Sequence, residues 1–136
     1  MDHAAEIRGE IRVFGPAAIE DYHAHLVRLD RASRFPGLDD HGIDAHCLSL
    51  VTSEAIFVGV FVDGGLRAGA QIVPDRCARA AQAAITVEHG YEGRELERAL
   101  TARVIEEARR RRLYDMTILT PEGTEIVRPV ELAIAV

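Results

Sequence analysis

Tryptophan is missing from this chain, and aromatic residues make up only 5 % of its 136 positions. Any interior must therefore be built from Ala, Val, Ile and Leu. Cysteine is nearly missing too. Cys47 and Cys77 stand far apart with no Cys-x-x-Cys pairing, which excludes a disulfide framework or a four-cysteine zinc module. No apolar run approaches the ~20 residues that a membrane-crossing helix needs. The opening residues MDHAAEIRGE lack a basic region followed by an apolar one, so the expected location is the cytoplasm. Positive charge is in deficit, with 16 Lys+Arg against 22 Asp+Glu and a net charge of −6, which sets aside a general nucleic-acid binder. The only dense basic run, Arg109–Arg112, closes a predicted helix, where cations suit the carbonyl end of the dipole.

What the chain has is apolar residue in quantity, 48 %, enough for one domain over residues 1–136 with a real core. Ile7, Ile11 and Val13 alternate like a strand over Glu6–Phe14. Pro16 suits the first position of a helix, and Ile19, Tyr22, Leu26 and Leu29 place one apolar stripe on it. Pro36-Gly37 and Asp39-Asp40 read as a loop and cap. Ile43, Cys47, Leu50 and Val51 form a second, shorter stripe. The period then changes. Ala55–Val62 is a continuous apolar run ending in Asp63-Gly64-Gly65, a strong hairpin signal. Leu66–Val73 is its expected partner, stopped by Pro74, and Arg79–Val87 is a third strand. A long helix over about Glu92–Arg112 carries Leu96, Leu100, Val104 and Ala108 on one side, and Met116–Leu119 reads as a strand. In the tail, Leu132, Ile134 and Val136 alternate as in a strand, whereas Glu122–Arg128 reads equally as a helix start that Pro129 would disturb. The architecture expected is α/β (α+β), a mixed sheet with helices on its faces.

The most informative stretch is ITVEHGYEGRELERAL, residues 85–100. A β-rich run enters a turn containing Gly90 and Gly93, and an amphipathic helix leaves it. Strand, turn and helix in that order, with the helix N-terminus facing a ligand, make a common pyrophosphate seat. Yet Glu92, Glu95 and Glu97 lie where an anion would approach. At ~5 Å and an effective dielectric near 20, each such charge pair costs on the order of 3 kcal/mol before screening. The same acids also stabilise a first helical turn without any ligand, by roughly 0.3–1 kcal/mol each.

Element order and local sequence resemble the GNAT superfamily of N-acyltransferases. Val58-Gly59-Val60 and Leu66-Arg67-Ala68-Gly69 look like that family's second and third strands, and Ala81–Val87 like its fourth. Tyr91-Glu92-Gly93-Arg94-Glu95-Leu96-Glu97 aligns with its Gln/Arg-x-x-Gly-x-Gly/Ala loop, and Glu106-Glu107-Ala108-Arg109 matches the end of the helix that follows. Leu29–Phe35 is similar to an early segment of some bacterial members. The similarity spans roughly residues 7–120 and is strongest over 55–120. It implies a GNAT-like mixed, largely antiparallel sheet with helices on both faces and C-terminal strands shortened or missing. It also implies acetyl-CoA as cofactor, held by Val87, Tyr91, Gly93, Arg94, Leu96 and Arg98, and a small-molecule or protein amine as acceptor. Glu92 replaces the family's Gln/Arg, and Glu95 and Glu97 its glycine-type positions, so the acetyl-CoA motif is degenerate and cofactor binding weakened or lost. Gln82 stands where related sequences often carry a Glu base, and Gln cannot serve as one. Glu88 and His89 are the nearest titratable candidates. Tyr114 precedes the fifth strand rather than following it, and Gly123 replaces the family's Asn. A homodimer would cover the edge left by a shortened sheet.

Other constellations are weaker. His23 and His25, two apart on a helix, point in different directions and cannot share a metal. Within the group His41, Asp44, His46 and Cys47, only Asp44 and Cys47 share a helical face, and Cys47 falls on the apolar stripe, where a buried small side chain is the usual meaning. No metal site is expected. Two functional readings result: an acyl-CoA-dependent N-acyltransferase acting on an unidentified amine, and a catalytically silent module of the same fold that binds a protein or another ligand.

Overall fold

The hairpin signal at Asp63-Gly64 sets the register of the sheet. In a computed structural model that describes residues 11–29, 38–120 and 123–127, Asp63 and Gly64 both adopt left-handed backbone, with φ of +50° and +79°. That is the twist a two-residue hairpin turn requires. The turn joins β2 (Ile56–Val62) to β3 (Gly65–Asp75), which pairs in turn with β4 (Ala80–Val87). With β1 (Ile11–Phe14), β5 (Asp115–Thr120) and β6 (Gly123–Val127), the strands form one sheet in sequential order. Every neighbouring pair is antiparallel except β4 and β5, which run parallel because a helix, α3 (Arg94–Arg110), crosses between them. The expected mixed sheet with helices on both faces is thus observed.

The pleat sends alternate residues to two cores. On one face, α3 lays Leu100, Val104 and Ala108, all fully buried, against Val58, Ala70, Ile72, Ile85 and Ile118. On the other, Pro16 opens a short 3-10 turn (Pro16–Ala18) that leads into α1 (Ile19–Arg28), and α2 (Ile43–Thr52) follows. Tyr22, Leu26, Cys47 and Leu50 from these helices meet Phe57 and Leu66. The expected cap does not fall at Asp39-Asp40. Gly42 is the N-cap of α2, with no side-chain cap, and Asp39 instead closes the turn before it by accepting the Gly42 N–H at 2.8 Å. Pro36-Gly37 lie outside the described residues.

Four other readings need correction. Pro74 does not end β3, which continues to Asp75 opposite Ala80. β2 begins at Ile56 opposite Ile72, so beyond that point β3 has no neighbour on that side, and a residue lacking an N–H is tolerated. Val51 does not join the buried stripe of α2. It is 37 % exposed, because it lies a full helical step round from Leu50. The helix start read at Glu122–Arg128 is overturned, since Gly123–Val127 is a strand antiparallel to β5. The arginine run is more than a solvated helix end. Arg110 and Arg111, with Arg103 one turn earlier, converge on the buried Glu107. Burial alone would raise the pKa of Glu107, but the hydrogen bonds and charges of these arginines outweigh it and hold it below the usual carboxylate range. Glu6–Glu10 of the first predicted strand, Asp30–Phe35, and the alternating Leu132, Ile134 and Val136 lie outside the described residues.

The faces of α2 yield a direct test. Leu50 is 2 % exposed and Leu48 66 % exposed. Leu50→Ala should destabilise the fold by about 2–4 kcal/mol in urea unfolding, and Leu48→Ala by less than about 0.5 kcal/mol. Equal costs would refute the placement of this helix.

Candidate functional site

The site begins where two parallel strands separate. β4 pairs with β5 from Ala80/Asp115 to Ala84/Leu119 and no further. Beyond that point Ile85–Val87 continue beside β3 alone. A wedge therefore opens at the carboxyl ends of a parallel pair, the usual place for a ligand in such sheets. Val87 closes β4, and the loop that follows leads to α3 at the mouth of the wedge.

The residues expected to hold a cofactor are only partly gathered there. The Tyr91 N–H donates to the Glu88 carbonyl at 3.0 Å, and its ring lies 5.8 Å from the Arg67 guanidinium carbon. Gly93 precedes α3 and its carbonyl accepts the Glu97 N–H at 3.0 Å. Arg94 is the first residue of α3. Leu96 turns instead toward the core, while Arg98 is exposed one turn on. The loop also supplies its own anion. Glu92 accepts the Gly90 N–H at 2.8 Å and lies 3.2 Å from His89 Nδ1. Glu95 and Glu97 occupy the first turn of α3, as expected.

Glu88 sits in a clasp. Its carboxylate accepts Arg28 Nε at 3.0 Å, Arg67 at 3.2 Å and the buried His25 Nδ1 at 2.9 Å. Arg28 and His25 also reach the Leu66 carbonyl, at 2.8 and 3.2 Å. Burial alone would raise the pKa of Glu88, but the hydrogen bonds and charges of His25 and Arg28 outweigh it and keep the carboxylate ionised. A carboxylate held this way is a poor proton acceptor. His89, its neighbour, is 94 % exposed.

A second feature is a groove of about 380 Å³ on the α2 side of the sheet. His46 and Gln71 form one wall, Gln82 and Ala84 the floor, and Thr117 and Leu119 the far wall. Ala84 and Leu119 are the last paired residues of β4 and β5, so the groove meets the wedge at its root. Behind Gln71, the fully buried Tyr22 donates its hydroxyl to Gln71 Oε1 at 2.8 Å. Burial pushes this phenol far above its ordinary pKa, so it keeps its proton. His25 Nε2 lies 2.8 Å from Thr86 Oγ1, which extends the polar chain to the clasp.

Sequence reasoning missed Tyr22, His25, Gln71 and His46 as site residues. For His25 a signal was present: it follows Tyr22 by three and precedes Leu29 by four, so it shares the buried face of α1. For Gln71 and His46 no local signal exists, because their partners come from other elements. His23 and His25 do diverge, with His23 bonded to Asp44 across the helix pair at 2.6 Å. The group at 41–47 does not converge on one point: Asp44 lies near Cys47 as its spacing implies but bonds His23, while His46 bonds Gln71. Cys47 is buried, and burial with the nearby Asp44 charge pushes its thiol up to about 11. Among the described residues, no group of three or more His, Cys, Asp and Glu is placed to hold a metal.

Replacing Glu88 leaves two arginines and a histidine facing a neutral group. Glu88→Gln should therefore cost about 3 kcal/mol at neutral pH. The native pKa is depressed, so the stabilisation is present above the unfolded carboxylate value of about 4.3 and fades as pH falls through the native one. Urea unfolding should accordingly show the difference between wild type and Glu88→Gln shrinking on acidification below about pH 4. A pH-independent gap would count against the clasp.

No family model matches the sequence, and no curated protein does so either. Solved structures do match. A GNAT-family acetyltransferase from Streptococcus pneumoniae superposes with a TM-score of 0.59 at 18 % identity, covering 80 % of this chain and 73 % of that one. Ribosomal-protein-alanine N-acetyltransferase from Brucella melitensis gives 0.57 at 18 %, covering 80 % and 72 %. A GNAT superfamily phosphinothricin acetyltransferase from Sinorhizobium meliloti, solved in complex with AcCoA, gives 0.58 at 10 %, covering 93 % and 71 %. Identities this low speak to architecture alone, and on architecture they agree: the chain has the fold of the GNAT N-acetyltransferases.

Proposed function

We propose that this protein transfers an acyl group from acyl-CoA to an amine. The observation that carries the reading is the parting of β4 from β5 beyond Ala84 and Leu119, with a groove at its root whose lining has no Asp, Glu, Lys or Arg. Beyond Ala84, the side of β4 turned toward β5 has no strand partner. Its backbone groups fit an amide-containing pantetheine arm, which has donors and acceptors of its own. When bound, acyl-CoA supplies an activated thioester carbonyl. Val87, Tyr91, Gly93 and Arg94 would line its path, and Arg98 would approach its phosphates along α3. Leu96 supports the helix from below.

The chain's own residues then act by placement. Backbone N–H groups of β4 polarise a carbonyl in the wedge without any special side chain. Glu88 holds the end of β4 against α1 and β3, a positioning role, and the exposed His89 at the loop is the candidate proton acceptor of the pair. In the groove, Gln82 orients an acceptor but takes no proton.

One observation favours a silent module of the same fold. The loop amide at Gly90 is already satisfied by Glu92, so the carboxylate competes with a phosphate for the same donor. Isothermal titration with acetyl-CoA decides between the readings. At a hundredfold excess over Kd, a bound ligand stabilises the fold by about 2.7 kcal/mol, visible as a thermal shift of several degrees. No heat and no shift would leave the silent module. If the loop carboxylates oppose the cofactor, Glu92→Gln with Glu95→Gln should tighten binding about tenfold at low salt and less at high salt. Unchanged affinity in both buffers would remove the electrostatic argument.

A further inference from the structure

Gln71 is 8 % exposed, yet its side-chain amide is only half satisfied. Its oxygen accepts the Tyr22 hydroxyl at 2.8 Å and His46 Nε2–H at 2.7 Å. Those two donors fill both lone pairs. The amide nitrogen carries two N–H groups, and among the described residues neither has a partner. Buried donors left this way are costly, and each one in a native structure calls for an acceptor. Gln71 forms part of the groove wall, directly opposite Ala84 in the β3–β4 register. Cross-strand neighbours on one face stand roughly 5 Å apart. The unused donors therefore sit beside the root of the wedge.

The rest of the groove narrows the chemistry of what they meet. Its lining has no Asp, Glu, Lys or Arg: besides His46 and Gln71 it consists of Gln82, Thr117, Val73, Ala83, Ala84 and Leu119. A carboxylate there would find no arginine or lysine in the lining to pair with, whereas a neutral carbonyl oxygen needs only the amide N–H. Building on the acyl-transfer reading, we infer that the acceptor bears a neutral amide carbonyl beside its amine, as a peptide α-amine or amino-acid amide does, and that Gln71 Nε2 donates to that oxygen. Tyr22 and His46 lock the amide so that its nitrogen, not its oxygen, is offered to the groove. The apolar wall takes a small side chain.

The test uses three amines of similar size and no cofactor. Alaninamide, alanine and sec-butylamine are titrated into the ¹⁵N-labelled full chain at a pH where the amines are protonated, and the Gln71 side-chain NH₂ peaks are followed. Those peaks are assigned by their loss in Gln71→Met. Alaninamide should move them saturably and bind at least tenfold more tightly than sec-butylamine, because a site built around a hydrogen bond rejects the analogue lacking it. Alanine should fall behind alaninamide. In Gln71→Met the preference should vanish. Equal affinities, unmoved peaks or a preference for alanine would overturn the inference, and the wild-type comparison stands even if the variant fails to fold. Acetyl-CoA binding without the amide preference refutes this assignment alone. The amide preference without acetyl-CoA binding refutes the acyl-transfer reading, and the acceptor role falls with it.

Discussion

Two arginines and a histidine on one buried carboxylate hold the end of β4 in place. Glu88 lies just past the last residue of β4, and its partners come from α1, through His25 and Arg28, and from β3, through Arg67. The clasp therefore fixes α1 against the sheet at the point where β4 leaves its neighbour. Without it, burial would favour a protonated carboxyl, and the arginines would face a neutral group. The loop inherits its starting direction from this arrangement. The Glu88 N–H is bonded to the Arg67 carbonyl at 2.8 Å, and the Glu88 carbonyl accepts the Tyr91 N–H.

From that fixed end, two spaces open that differ in character. The wedge between β4 and β5 is walled by backbone, so it places few demands on side chains. The loop at its mouth is acidic, and Glu92 folds back onto the Gly90 amide. The groove at its root is almost uncharged and is lined by amides and small apolar residues. A phosphate meets resistance at the acidic loop and would find no arginine or lysine in the groove. On the proposed reading, a thioester would lie in the wedge and the acceptor amine in the groove. The conflict between an anion-binding architecture and an acidic loop is thus confined to the loop and does not reach the groove.

Much of the frame could be read in the residue order. The Asp63-Gly64 turn, the stripes of α1 and α3 and the strand runs depend on neighbours within a few positions, and the structure has the turn, both stripes and the strands that fall on its described residues. The misreadings arose where a distant element intervened. Pro74 is tolerated because β2 starts only opposite Ile72 and leaves the end of β3 without a neighbour on that side. Residues 123–127 pair with β5, a contact that local propensity does not encode. The arginine run at the end of α3 looked like a dipole cap, yet Arg110 and Arg111 pair with Glu107.

The site divides along the same line. Local pattern alone determined that a strand, a glycine-bearing turn and a helix follow one another at residues 85–100, and that the turn is acidic, because periodicity and turn chemistry act over a few residues. Only the tertiary structure decided what those residues face. Glu88 became a clasp rather than an open base because Arg28, Arg67 and His25 arrive from 21 to 63 positions away. Gln71 became a half-satisfied donor because Tyr22, 49 residues earlier, and His46, 25 residues earlier, both spend their hydrogens on its oxygen. Hydrogen-bond satisfaction is a property of packed neighbours, and packing brings together groups that the order of residues keeps apart.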